Sequence, residues 1–378
     1  MVIIIAVFIA LLFAMNIGGS GAAASMGIVY GTGAIRSKRR TLIICSIAIF
    51  LGAAFGSRKV IETVGTGLID VQLLNATSVV IILGSACTSL FIANMIGIPL
   101  STSEVTVGAV IGLGFVYKSI YVESVLYIVL WWMITPLLAF LIVYGAILFY
   151  KKVRIKFPQP FRIKKQYIVL FVIIAGFLEA LAAGMNNVAN AVGPLVGAAM
   201  IPSSIAMGVG GLFIAIGAIV FGGKVLDTNG KKITKISIHD GLIVSLTSAC
   251  ITIIASICGI PIPMTQVTTS AIVGVGVANE GKVIFQQPIF KRIMIVWVVS
   301  PLISFFIAYY MVQIFVEQDM LSILLMTVFL LFVVTVWKMR TSVWKKEINK
   351  RPAVICQKKN NLILGYQGTN ILKKTTLN

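Results

Sequence analysis

A sixteen-residue stretch occurs twice in this chain, and it limits the fold more than any other feature. Gly97-Ile98-Pro99-Leu100-Ser101-Thr102-Ser103-Glu104-Val105-Thr106-Val107-Gly108-Ala109-Val110-Ile111-Gly112 returns as Gly259-Ile260-Pro261-Ile262-Pro263-Met264-Thr265-Gln266-Val267-Thr268-Thr269-Ser270-Ala271-Ile272-Val273-Gly274, with seven of the sixteen positions identical. Both copies are rich in Gly, Pro, Ser and Thr, yet both lie in very apolar surroundings. Backbone freed by a proline cannot face lipid, where its N–H and C=O groups find no partner. Each copy must therefore be enclosed by the protein. A broken helical segment in corresponding places of two halves points to a binding site in a duplicated transporter.

The surroundings set the class. Of the 378 residues 59% are hydrophobic and 11% charged, and mean hydropathy is +1.04. No soluble domain buries that much apolar surface, so the chain reads as an all-α polytopic membrane protein. Apolar spans are expected near 2–33, 41–57, 77–96, 98–117, 124–149, 167–200, 203–222, 241–258, 260–278, 293–315 and 320–337. The first is expected to be retained, because no short h-region with a basic flank precedes it. Segments 97–117 and 259–278 fit either a full crossing or a re-entrant hairpin.

The net charge of +20 follows the loops. Basic segments at 36–40, 151–166, 223–240, 281–292 and from Lys338 onward alternate with near-neutral or acidic ones at 58–76, 118–123 and 316–319. Eleven crossings, with the N-terminus outside and the C-terminus in the cytoplasm, put every basic loop inside. This pattern accounts for the charge without nucleic-acid binding. The tail from Lys338 holds ten Lys/Arg against one Glu, which suits a cytoplasmic extension near anionic lipid. Five cysteines without metal-ligand spacing and a single histidine argue against a metal site or a disulfide framework.

The repeat extends beyond the hairpins. Ala14-Met15-Asn16 with Gly18-Gly19-Ser20-Gly21-Ala22-Ala23-Ala24 pairs with Gly184-Met185-Asn186-Asn187-Val188-Ala189-Asn190-Ala191-Val192-Gly193-Pro194. A second block from Phe55 to Gly65 pairs with Phe221 to Gly230. The three blocks keep one order, and the charge pattern starts them on opposite sides. The organisation is a first repeat at 1–150, a basic cytoplasmic linker at 151–166, an inverted second repeat at 167–337 and a basic tail at 338–378, the architecture of alternating access.

Candidate ligand groups follow from depth. Amides in a span need partners, so Asn16, Asn186, Asn187 and Asn190 suggest a polar cavity. Ser101, Thr102, Ser103 and Thr106 stand against Thr265, Thr268, Thr269 and Ser270. Pro99 and Pro261 break each helix, so a half-helix can start after each, with free N–H groups and a positive dipole end. Hydroxyls and amides at such an end hold an anion without a cationic side chain. Single Ser/Thr in spans commonly bond back to the preceding turn, but these eight are clustered and repeated. Glu104 and Glu179 are the carboxylates deep in apolar sequence, each a candidate to take up and release a coupling proton. Glu104 lies inside the proposed anion site, whereas its counterpart is the neutral Gln266, so the first hairpin is the stronger candidate for coupling.

These motifs resemble the inorganic phosphate transporter (PiT) family, whose signatures are a Gly-Ala-Asn-Asp-Val-Ala-Asn-Ala-type block and a Pro-Val-Ser-Thr-Thr-His-type block, each present twice. The resemblance runs in order from residue 1 to about 335 and is most specific at 184–194. Within the family, Phe13 to Gly27 and Gly184-Met185-Asn186-Asn187 look most like the CysP-type sulfate permeases. The resemblance implies an inverted-repeat secondary transporter, driven by protons or sodium, often a homodimer, with both signature pairs lining one oxyanion site. Where the family pattern has Asp, this chain has Ile17 and Asn187; where it tends to have His, it has Glu104 and Gln266.

The first departure has a physical reading. Phosphate near neutral pH still carries a proton that a carboxylate can accept, but sulfate carries none. At ~4 Å two like charges repel by roughly 4 kcal/mol at an effective dielectric of 20. Exchanging Asp for Asn turns an acceptor into a possible donor. The expected function is sulfate import coupled to protons, with Asn16, Ser101–Ser103 and Thr106 facing Asn186, Asn187, Thr265, Thr268 and Thr269. No cofactor is expected beyond the coupling ion, H+ or alternatively Na+; a bacterial plasma membrane is the expected location. A phosphate symporter is the nearest alternative, and a passive anion channel is an alternative of another class. An enzyme is a poor fit, since no nucleophile–base pair or metal cluster can be identified.

Overall fold

The computed structural model describes residues 1–96, 100–156, 164–232, 237–286, 288–331 and 335. Pro99 and the tail from Lys338 fall outside them. Helices form throughout, because a backbone in lipid has to bond within its own segment. They are α1 (Val2–Gly31), α2 (Lys38–Gly56), α3 (Arg58–Thr66), α4 (Ala76–Ile96), α5 (Thr102–Val116), α6 (Val122–Lys156), α7 (Lys165–Gly197), α8 (Ser203–Lys232), α9 (Ile238–Ile257), α10 (Met264–Glu280) and α11 (Pro288–Phe315). Among the described residues seven helices are long and apolar enough to cross a bilayer. Residues 1–318 form one compact unit. The second unit starts at Asp319, whose carboxylate accepts from the Leu321 N–H and the Ser322 hydroxyl and so caps an apolar helix, Met320–Leu331.

The packing repeats itself with the halves exchanged. Helix α1 lies along α8 as α7 lies along α2; α5 packs on α11 as α10 packs on α6; α1 flanks α4 as α7 flanks α9. The close crossings use the same device. A Cβ on Gly18 would strike the Ile214 carbonyl, and one on Gly217 the Met15 carbonyl. Gly52 against Leu181 and Gly184 against Ile49 repeat this in the other pair. Small residues let backbones approach where packing, rather than water exclusion, drives association. The chain is thus two inverted-topology repeats.

Which ends share a face follows from contacts. Tyr121 N–H donates to Leu68 O at 2.9 Å, and Ile69 bridges Ile120, so α5 ends beside the α2–α4 connection. The turn at Gly259 abuts Lys59 and Thr63 of α3, placing the end of α9 on this same face. On the opposite face the Tyr150 ring stacks on His239 with centroids 5.8 Å apart, and Lys151 Nζ donates to Ala278 O at 2.8 Å. The start of α9 and the end of α10 therefore lie there. Both uncertain segments are hairpins: α4–α5 departs from and returns to the α3 face, and α9–α10 departs from and returns to the opposite face.

Two differences from the expected spans have simple causes. Helix α3 interrupts the expected 58–76 loop; its nine residues bury Val60, Ile61, Val64 and Gly65 while Arg58 and Glu62 pair outside at 3.0 Å. It is too short to register as a span. At 15 and 17 residues, α5 and α10 extend about 22 and 25 Å, less than the roughly 30 Å hydrocarbon core.

Candidate functional site

Helices α5 and α10 start at one buried place and run apart to opposite faces. Their first turns touch: Gln266 Nε2 donates to Glu104 Oε1. Neither start is closed by its own N-cap side chain, Ser101 on α5 or Pro263 on α10. Two positive helix ends, each about half an elementary charge, therefore converge on one spot, with no Lys or Arg buried among the described residues.

The amides of α7 bind both starts together. Asn186 Nδ2 donates to Ser103 Oγ at 3.3 Å and to Ile262 O at 2.9 Å, while its Oδ1 accepts the Ile262 N–H at 3.1 Å. It also donates to Asn187 Oδ1 at 3.3 Å. Asn187 Oδ1 accepts from Thr102 Oγ1 at 3.0 Å. Asn190 Nδ2 reaches Thr102 Oγ1 at 3.2 Å and Ser103 Oγ at 3.3 Å, and Ser103 Oγ donates to Ile262 O at 3.1 Å. The first repeat's hairpin is thus held by the second repeat's Asn block. The spacing 186, 187, 190 permits this, because residues one turn apart share a helix face.

The other expected residues distribute unevenly. Thr106 is fully buried one turn into α5, and Ser101 is buried at the α5 N-cap position without a capping side-chain bond. Asn16 is half-buried on α1 and meets Cys87 of α4. Thr265 and Thr269 are half-buried, and Thr269 Oγ1 bonds back to Thr265 O at 2.6 Å. Thr268 leaves the Asn cluster and donates to Glu179 Oε1 at 2.9 Å. Glu104 and Glu179 are the buried carboxylates among the described residues; Ser300 of α11 stands beside the first and Ser245 of α9 beside the second.

Two contributors carry no motif signal. Trp132 of α6 donates its indole N–H to Pro261 O at 2.8 Å, pinning the second hairpin. The main chain of Ile262 serves as both donor and acceptor. Only the Gly-Ile-Pro repeat hints at the latter.

The model of the phosphate transporter family matches residues 17–175 and again 160–308. The chain belongs to the phosphate transporter family. The two matches correspond to the two repeats. Sulfate permease CysP of Bacillus subtilis is 46% identical over 328 residues, covering 86% of this chain and 92% of that one. A solved structure titled the sodium-dependent phosphate transporter shares the fold, with a TM-score of 0.72 at 24% identity over 83% of this chain and 98% of that one. Family membership and the apolar helices make the protein a multi-pass membrane protein.

Proposed function

We propose that the protein imports sulfate by proton-coupled alternating access. The observation that carries this reading is the convergence of the α5 and α10 starts on Asn186 and Asn187, a place with donors and hydroxyls but no carboxylate facing Asn187. In the family pattern one of these amides is an Asp. A tetrahedral dianion without a proton is served by donors alone, and an added carboxylate there repels it. The relative named a sulfate permease supports the same substrate.

Rotation of one repeat against the other exposes the site to each face in turn. The amide network then opens to exchange its internal bonds for bonds to the anion. The charge bias of the loops supports an N-terminus outside and the α3 face outward, in the cell membrane. Loss of carboxylate at position 17 and at Asn187 removes ligands a sodium ion would use, which favours the proton as coupling ion.

Labelled-sulfate uptake into a sulfate-transport-deficient host tests the reading. Saturable, concentrative uptake that a proton ionophore stops and sodium does not affect is expected. Phosphate competing as well as sulfate would favour a phosphate symporter, and non-saturable downhill flux a passive channel.

A further inference from the structure

Helix α9 carries four fully buried hydroxyls: Ser248, Thr252 and Ser256 have no hydrogen-bond partner, and Ser245 faces the Glu179 carboxyl. Steps of three, four and four residues set them in one stripe about 16 Å long. Helical hydroxyls ordinarily bond back one turn, as those of Ser57, Ser89 and Thr135 do here. These four do not.

The neighbouring helix matches the stripe. Helix α7 packs along α9 and carries Glu179, Asn186 and Asn190 over the same eleven-residue span on one face. Ser245 stands beside Glu179, so the two stripes begin in register. Asn190 Oδ1 also lacks a partner. An unpartnered buried polar atom costs about 1–3 kcal/mol. Three such hydroxyls along α9, beside a helix with a polar stripe of its own, are better explained by a chain of water and hydroxyls in the working protein. At its far end Ser256 O accepts the Gly259 N–H at 3.0 Å. Gly259, with Cys258 and Ile260, lines a cleft of about 450 Å³ against Thr63, Glu123 and Tyr127 on the α3 face.

Glu104 has a different setting. Gln266 closes one of its oxygens, and on α11 beyond Ser300 the next hydroxyl, Ser304, is bonded back to Pro301 O at 3.1 Å. Glu104 Oε2, Thr106 Oγ1 and Ser300 Oγ are also without partners, but among the described residues they do not continue into a stripe of hydroxyls along one helix. Around Glu179 the facing groups are Ser245 of α9, Thr268 of α10 and the thiol of Cys45 on α2, itself paired with Ser25 at 3.7 Å.

We infer that this seam is a proton route, separate from the anion's path, leading from the cleft on the α3 face to Glu179. A hydronium ion in the cleft gives up its proton and remains as water. Each hydroxyl or water in the seam accepts one proton and passes another on, and the Glu179 carboxylate takes the last. Through Thr268 the charge state of Glu179 bears directly on α10, one of the two helices whose starts form the anion site. The inference rests on the sulfate reading above.

The test uses the full chain in vesicles with a trapped pH-sensitive dye. It reads sulfate–sulfate exchange at equal pH, and sulfate uptake with the accompanying proton movement under a pH gradient. Glu179→Gln is expected to keep exchange within about threefold and to lose proton-driven uptake by on the order of a hundredfold. The pair Ser248→Ala with Thr252→Val is expected to slow sulfate-linked proton movement about tenfold and spare exchange, and Thr252→Ser in place of Thr252→Val to restore most of it. Proton movement unchanged in either variant overturns the route. So does joint loss of exchange and uptake in both Glu179→Gln and Glu179→Asp, which makes Glu179 structural. Wild-type exchange without proton movement overturns the route but leaves the sulfate reading standing; absence of any wild-type sulfate exchange overturns the reading beneath it.

Discussion

The two hairpins share a sequence pattern but contribute different chemistry. The α4–α5 hairpin offers side chains: Thr102 and Ser103 reach the amides of α7, and Glu104 reaches Gln266. The α9–α10 hairpin offers main chain: Ile262 gives its N–H and its carbonyl to Asn186, and Pro261 gives its carbonyl to Trp132. Pro263 and Met264 stand where the first copy has Ser101 and Thr102, so the second copy lacks hydroxyls at these two positions and keeps the turn. Duplication built a symmetric frame, and divergence made one hairpin the chemical arm and the other the scaffold.

The largest expected effect comes from cutting the link between the hairpins. Besides the direct bonds from Ser103 to Ile262 and from Gln266 to Glu104, Asn186 of α7 bonds to both. Asn186→Leu should abolish sulfate uptake and lower the thermal unfolding midpoint in detergent, since each buried group left unpaired costs about 1–3 kcal/mol. Wild-type uptake in this variant would show that the two starts act independently. Next comes Asn187→Asp, which places a carboxylate where Thr102 now donates. Repulsion of roughly 4 kcal/mol at ~4 Å and an effective dielectric of 20 is eased by solvent and relaxation. Sulfate uptake should therefore fall by on the order of a hundredfold and phosphate, which carries a proton, should become the better competitor. Equal loss for both anions would place Asn187 away from the anion.

Trp132→Phe separates scaffold from chemistry. It keeps the ring in place and removes the donor to Pro261 O, so only the second hairpin loses a contact. One lost hydrogen bond of about 1 kcal/mol should raise the half-saturating sulfate concentration a fewfold without changing the phosphate-to-sulfate preference. A changed preference would mean that the second hairpin also selects the ligand.

The frame was readable in the residues because membrane helices advertise themselves by apolar length and the repeat by its Gly-Ile-Pro blocks. The meeting of Thr102 and Ser103 with Asn186 and Asn187 was also readable, since polar side chains at depth must find one another. Other parts left no trace. Ile262 acts through its main chain, which no residue type signals. Trp132 lies 129 residues from Pro261 and reads as an ordinary interfacial aromatic. Asn16, the formal partner of Asn186, meets Cys87 of α4, a contact the repeat does not signal. The α9 hydroxyls look like scattered Ser and Thr until their lack of back-bonds is seen.

The smallest expected effect is also the sharpest test of unequal hairpins. Glu104 and Gln266 occupy corresponding places and bond to each other across the two helix starts. Glu104→Gln leaves two amides, one of which can still donate to the other. The link survives, and uptake should fall no more than about threefold, the scale of a fraction of one hydrogen bond. Its pH dependence should persist if Glu179 carries the proton, whereas loss of that dependence would return the coupling role to Glu104. Exchanging the pair, Glu104→Gln with Gln266→Glu, keeps one carboxylate and one amide but moves the carboxylate from α5 to α10. If the contact only joins the two starts, the exchanged protein should transport like wild type. If instead the negative charge must sit on the chemical arm, the exchange should impair transport more than Glu104→Gln alone, and the difference between the hairpins would then extend to charge as well as to hydroxyls.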